Sequence, residues 1–108
     1  MDAFYALAEP RRRRIIEIIA ASGQLSATQI YKKFNVTAQA VSQHLTILRD
    51  AGLVKMEKRA QQHIYSLDPS SISEVGEWAQ KTQRLWNKRL DRLEDVIGEE
   101  KRKSAKKR

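Results

Sequence analysis

A chain of 108 residues can bury one small hydrophobic core, and its 21 Lys and Arg against 13 Asp and Glu leave a net charge of +8. A surplus of that size on so small a protein points to a polyanionic partner, nucleic acid first. The absence of cysteine excludes disulfides, thiol catalysis, zinc fingers and thiolate metal sensing, while the lack of a long apolar run or a signal-peptide core makes a cytoplasmic location the expectation.

The charge is unevenly spread. Residues 1–69 carry net +4, residues 70–98 net zero and residues 99–108 net +4. Residues 2–8 read as a short helix with Phe4, Leu7 and Ala8 on one side. Pro10 suits the first position of a second helix, where its missing N–H costs nothing. That helix is expected to run to about Ser22 and stop at Gly23. Ile15, Ile16, Ile18 and Ile19 wrap much of its circumference, which places it centrally in the core. Four consecutive arginines, Arg11 to Arg14, spiral around the same helix and cannot share one face.

Residues 26–54 read SATQIYKKFNVTAQAVSQHLTILRDAGLV. Ser26 can cap a third helix that turns Ile30 and Phe34 inward. After the turn Phe34-Asn35-Val36, Thr37 can cap a fourth. Val41, Leu45 and Leu48 follow the i, i+4, i+7 spacing of a buried stripe, and Gln39, Ser42, Gln43 and Thr46 point largely the other way. Two helices joined this closely have the sequence form of a helix-turn-helix, whose second helix enters the DNA major groove.

Leu53 to Arg59 and His63 to Leu67 read as two strands around Ala60-Gln61-Gln62, a hairpin or wing. Pro69 breaks the chain, and Ser70 or Ser71 can cap a long last helix that Gly98 ends. On it Ile72, Val75, Ala79, Thr82, Trp86, Arg89, Leu93 and Val96 form a seam at 3–4 spacing, widened by Trp78, Leu85, Leu90 and Ile97. So broad a stripe calls for a partner helix. The expected organisation is a winged helix-turn-helix domain over residues 1–98, mostly α with a small β-hairpin, dimerisation helices at 2–8 and 70–97, and a basic, disordered tail at 99–108.

With the wording Ala8-Glu9-Pro10-Arg11-Arg12-Arg13, Val41-Ser42-Gln43-His44-Leu45 and Leu48-Arg49-Asp50-Ala51-Gly52-Leu53-Val54, the chain closely resembles the ArsR family of bacterial winged-helix repressors over roughly residues 2–95. The resemblance implies a homodimer paired through its first and last helices, most members repressing their own operon. It also exposes a departure. Metal-sensing members carry Cys pairs in the third helix or Asp, His and Glu sets on the last, whereas here the third helix reads ATQIYKK and the last has no His. A branch that senses no metal is therefore expected, with no cofactor.

Gln39, Ser42 and Gln43 are the candidate base readers, since Gln can pair bidentately with adenine and Ser can donate or accept. Ser26, Thr28 and Thr37 stand at helix N-termini suited to phosphates, although capping alone explains Ser26 and Thr37. His44 matches the family's His and reads equally as a phosphate donor or as a structural residue at the helix-turn-helix junction. Arg59, Gln61, Gln62 and His63 form a wing tip suited to the DNA backbone or minor groove. Phe4, Leu7, Val75, Trp78, Leu85, Trp86, Arg89 and Leu93 are the candidate dimer contacts, with Trp78 and Trp86 as anchors. Arg89 interrupts the seam and is expected to pair across the two-fold.

No phosphate loop, paired acid/base set or activated nucleophile is present, so no catalytic residue is assigned and no enzyme is expected. Double-stranded DNA is the expected partner, bound by a homodimer away from any membrane. Two rivals remain open from the residues: a protein-interaction module docking another chain through its last helix, and an RNA binder, which would favour aromatic platforms not evident here.

Overall fold

In the computed structural model, which describes residues 2–106 and the side chains of residues 2–98, the elements follow in the order α1 (Ala3–Leu7), α2 (Pro10–Ser22), β1 (Gln24–Ser26), α3 (Ala27–Tyr31), α4 (Ala38–Asp50), β2 (Val54–Arg59), β3 (Gln62–Leu67) and α5 (Pro69–Lys106). By internal contact they fall into two units, Met1–Val75 and Gly76–Arg108. Among the described residues no helix is long and apolar enough to cross a membrane.

Local chemistry sets the helix ends. Asp2 caps α1 by accepting from Tyr5 N–H, and Glu9 caps α2 by accepting from Arg12 N–H. Pro10 takes the first position of α2 and Gly23 follows its end at φ 84°, a conformation that costs an L side chain but not glycine. Ser26 and Gln29 form a reciprocal capping box on α3. Thr37 caps α4 through Ala40 N–H.

The end of α4 is a Schellman turn. Leu53 N–H donates to Leu48 C=O at 3.0 Å and Gly52 N–H to Arg49 C=O at 2.9 Å, with Gly52 at φ 74°. A Cβ on Gly52 would lie 3.1 Å from Ser71 Oγ, so backbone and space both require glycine there. Leu53 then enters the core directly.

That core joins Ala6, Ile15, Ile16, Ile19, Leu25, Ile30, Val41, Leu45, Leu48, Leu53, Val54 and Tyr65. The stripe expected on α4 is buried as spaced. On α2, Ile18 is half-buried while Ile15, Ile16 and Ile19 are enclosed. The central position of α2 is thus real, though its solvent side is wider than four isoleucines suggest.

Four features differ from the sequence reading. The third helix closes at Tyr31, so Phe34 lies in the connection to α4 and not on the helix. The wing is a three-stranded antiparallel sheet in the order β1-β3-β2, because Gln24–Ser26 pairs with β3 through Gln24↔Ser66, Leu25↔Tyr65 and Ser26↔Ile64. The hairpin loop is one residue shorter than expected, since Arg59 pairs with Gln62 and only Ala60 and Gln61 turn the chain, Ala60 at φ 54°. The last helix starts and ends elsewhere. Asp68 accepts from both the N–H and the hydroxyl of Ser70, so it, not Ser70 or Ser71, serves the first turn. Gly98 does not stop α5, which continues to Lys106. Gly98 is not among the positive-φ glycines, and residues 99–106, EEKRKSAK, are mostly strong helix formers. The expected disordered tail is therefore helical through Lys106, and its last two residues lie outside the described ones.

Candidate nucleic-acid interface

The first three turns of α4 present an outward face that is polar and uncharged, and the charges Arg49 and Asp50 come only at its end. Gln39, Ser42 and Gln43 are exposed and line one shallow concavity together with Thr46 and Ile47. The helix brings these side chains together because positions 39, 42, 43 and 46 repeat at 3–4 spacing opposite the buried Val41, Leu45 and Leu48. A solvent-facing stripe of amides and hydroxyls, backed by aliphatic packing, can present donors and acceptors to base edges without charge.

The phosphate candidates separate. Thr28 and Thr37 are exposed at the starts of α3 and α4. Ser26 is only 6% exposed, with its hydroxyl accepting from Gln29 N–H and its backbone in the sheet. Its burial withdraws it from the phosphate set, because the hydroxyl closes the capping box and faces the interior. At the wing tip Gln61, Gln62 and His63 are exposed, and Arg59 pairs with Glu57 at 3.1 Å on the same side of β2. That surface ion pair is worth little, so the Arg59 guanidinium can exchange Glu57 for another anion.

Of the four consecutive arginines, the buried one is Arg12. It is 7% exposed. Its Nε donates to Ala6 C=O at 2.7 Å and its Nη2 to Tyr5 C=O at 3.3 Å. Its Nη1 lies 3.5 Å from His44 Nδ1, and the guanidinium sits over the Tyr5 ring at 5.4 Å from the centroid. His44, half-buried on α4, is thereby tied to α1 and α2 at the helix-turn-helix junction.

The other arginines of the run do different work. Arg13 donates to Leu7 C=O at 2.6 Å, Arg14 pairs with Glu17 at 3.5 Å, and Arg11 is exposed. Partial desolvation pushes the Glu9 carboxyl up, but the N–H groups of Arg12 and Arg11 and the nearby charges of His44 and Arg12 together outweigh it and hold Glu9 below the usual carboxylate range. Under the wing, burial raises the pKa of the Tyr65 hydroxyl, Tyr31 adds to this, and the nearby positive charge of Arg49 opposes the shift.

Of the dimer candidates, Phe4, Trp78, Leu85, Trp86, Arg89 and Leu93 are exposed, and Leu7 and Val75 are half-buried. Trp86 is 58% and Leu85 59% exposed. Leu90, Val96 and Ile97 extend the apolar exposure of α5. Among the described residues no group of three or more His, Cys, Asp or Glu is placed to hold a metal ion.

Two capped helices in succession, an exposed polar face on the second and a wing beyond it define a winged helix-turn-helix fold, that of DNA-binding transcriptional regulators. Residues 7–57 match a family of helix-turn-helix domains. The HTH-type transcriptional regulator Rv2034 of Mycobacterium tuberculosis is 32% identical over 98 residues, 91% of this chain and 88% of that protein. The transcriptional repressor SdpR of Bacillus subtilis is 29% identical over 77 residues, 71% of this chain and 84% of that protein. The structure of an ArsR-like transcriptional regulator from Rhodococcus sp. RHA1 superposes with a TM-score of 0.73 at 22% identity, covering 86% of this chain and 87% of that one. The chain belongs to the ArsR family of helix-turn-helix transcriptional regulators, a family of DNA-binding proteins and not of enzymes.

Proposed function

We propose that this regulator represses transcription as a homodimer that occupies a pseudo-palindromic operator. The observation that carries the reading is the face of α4, where exposed Gln39, Ser42 and Gln43 surround one concavity and carry no charge. In a two-fold pair, two such helices about 34 Å apart enter successive major grooves. Thr28, Thr37, His44 and the wing-tip residues Arg59, Gln61, Gln62 and His63 serve the backbone alongside. The copies pair through the apolar side of α5 with Trp78, Leu85, Trp86 and Leu93, joined by Phe4, Leu7 and Val75, and Arg89 crosses to an acidic partner. Residues 99–108, with net +4, add attraction that does not depend on sequence.

The test is a pair of substitutions. Gln43→Ala and Gln39→Ala are each expected to cost about 1–3 kcal/mol on operator DNA and little on random duplex, with Ser42→Ala costing less. Equal losses on both DNAs in a binding titration would move these residues to the phosphate class.

The donor set supports a branch that senses no metal. The chain has no cysteine and its two histidines stand on α4 and β3. Zinc, cadmium, arsenite or EDTA is expected to leave operator affinity unchanged within about twofold, short of the 5–150-fold typical of allosteric coupling. A reproducible tenfold release of DNA by any one of them, read by fluorescence anisotropy, overturns that assignment.

A further inference from the structure

The concavity on α4 has walls as well as polar groups, and the walls are hydrocarbon. Thr46 Oγ1 donates to Ser42 C=O at 3.0 Å, an i to i−4 bond back onto its own helix. With its one proton engaged there, Thr46 offers an outside partner its methyl group and an oxygen that can only accept. Half-buried Ile47 lines the same concavity. No Lys, Arg, Asp or Glu lines it. The one Lys or Arg in α4 is Arg49, which lies outside this lining.

These groups discriminate among bases. Guanine is read by Arg or Lys on O6 and N7, and cytosine by a carboxylate accepting from N4. No Arg, Lys or carboxylate lines this concavity, and Ser42, whose hydroxyl can serve either kind of pair, adds no preference. Adenine offers N6 and N7 to a Gln amide, and thymine offers its C5-methyl to an apolar contact. We infer that this face selects A·T base pairs, with the amides of Gln39 and Gln43 taking adenine and the Thr46 methyl and Ile47 enclosing a thymine methyl. The inference rests on α4 being the base-reading helix and names what it reads.

Selection of duplexes from a random pool with the full-length protein supplies the operator core. Each thymine of the enriched half-site is then replaced by deoxyuridine, which keeps every hydrogen-bonding edge and lacks only the methyl. The expected loss is about fourfold at one or two positions, equivalent to ~0.8 kcal/mol per methyl. Thr46→Ser keeps the bond to Ser42 but not the methyl. It is expected to bind the thymine duplex about as weakly as the wild type binds the uracil duplex, and to ignore the exchange at the position it serves. A half-site with guanine at the contacted positions, or one indifferent to uracil throughout, overturns this inference and leaves the regulator reading standing. A pool that enriches no duplex overturns both.

Discussion

Trp86→Ala is expected to leave the protein monomeric at micromolar concentration. Trp86 is 58% exposed in the single chain and lies among Leu85, Leu90 and Leu93, which are also exposed. Such a run on one helix is a large apolar surface for a soluble protein to leave in water. If a second copy encloses the indole, its removal costs about 3–5 kcal/mol, a hundredfold or more in the dissociation constant. Sedimentation equilibrium reads the effect. Arg84→Ala, two residues away on the opposite side of the helix, is expected to sediment like the wild type. Operator affinity should fall with Trp86→Ala because separated half-site readers lose their shared binding. A wild-type chain that is already monomeric and still binds operator tightly contradicts both the pairing and the mechanism.

Arg12→Met is expected to destabilise the fold by about 2–4 kcal/mol, since charge-assisted bonds of this kind contribute about 1.5–3 kcal/mol each and their loss strands buried acceptors. The Ala6 carbonyl loses a donor at 2.7 Å and Tyr5 C=O one at 3.3 Å. Helix α1 has five residues, too few to hold its shape without such partners. A cation at its C-terminal end also answers the helix dipole. Arg14→Met removes a solvent-exposed pair with Glu17 and is expected to change stability by less than about 0.5 kcal/mol. Urea unfolding of the two variants separates them. Near-equal midpoints would show that the buried guanidinium contributes no more than a surface one. Arg12→Lys should recover only part of the loss, because an ammonium cannot reach Ala6, Tyr5 and His44 from one fork.

The contrast between these arginines shows where the sequence stopped being legible. A run of four arginines spiralling round one helix implies mixed duties, packing and ion pairs for some, but helical spacing alone cannot say which of them meets the carbonyls closing α1. The recognition helix was legible because its burial is periodic: Val41, Leu45 and Leu48 alternate with a polar face over three turns. Gln24–Ser26 was not, since three residues carry no period and their pairing is decided by β3, some forty residues later in the chain. Ser26 looked available because capping residues and phosphate contacts draw on the same hydroxyl, and only burial distinguishes them. Gly98 read as a stop because glycine commonly ends helices, but that use depends on a left-handed backbone that Gly98 does not adopt.

The Schellman turn at Gly52 has a consequence for control. Leu48, inside α4, accepts from Leu53, whose carbonyl in turn accepts from Asp68 N–H at 2.9 Å, and Arg49 reaches Tyr65 on the wing. Helix α4 and the wing are thus joined by consecutive backbone hydrogen bonds on either side of Leu53. In the proposed pair, that continuity fixes each wing to its own α4, so the spacing between the two copies becomes the variable on which a releasing signal would act, as a change in track width derails a wheelset whose wheels remain round.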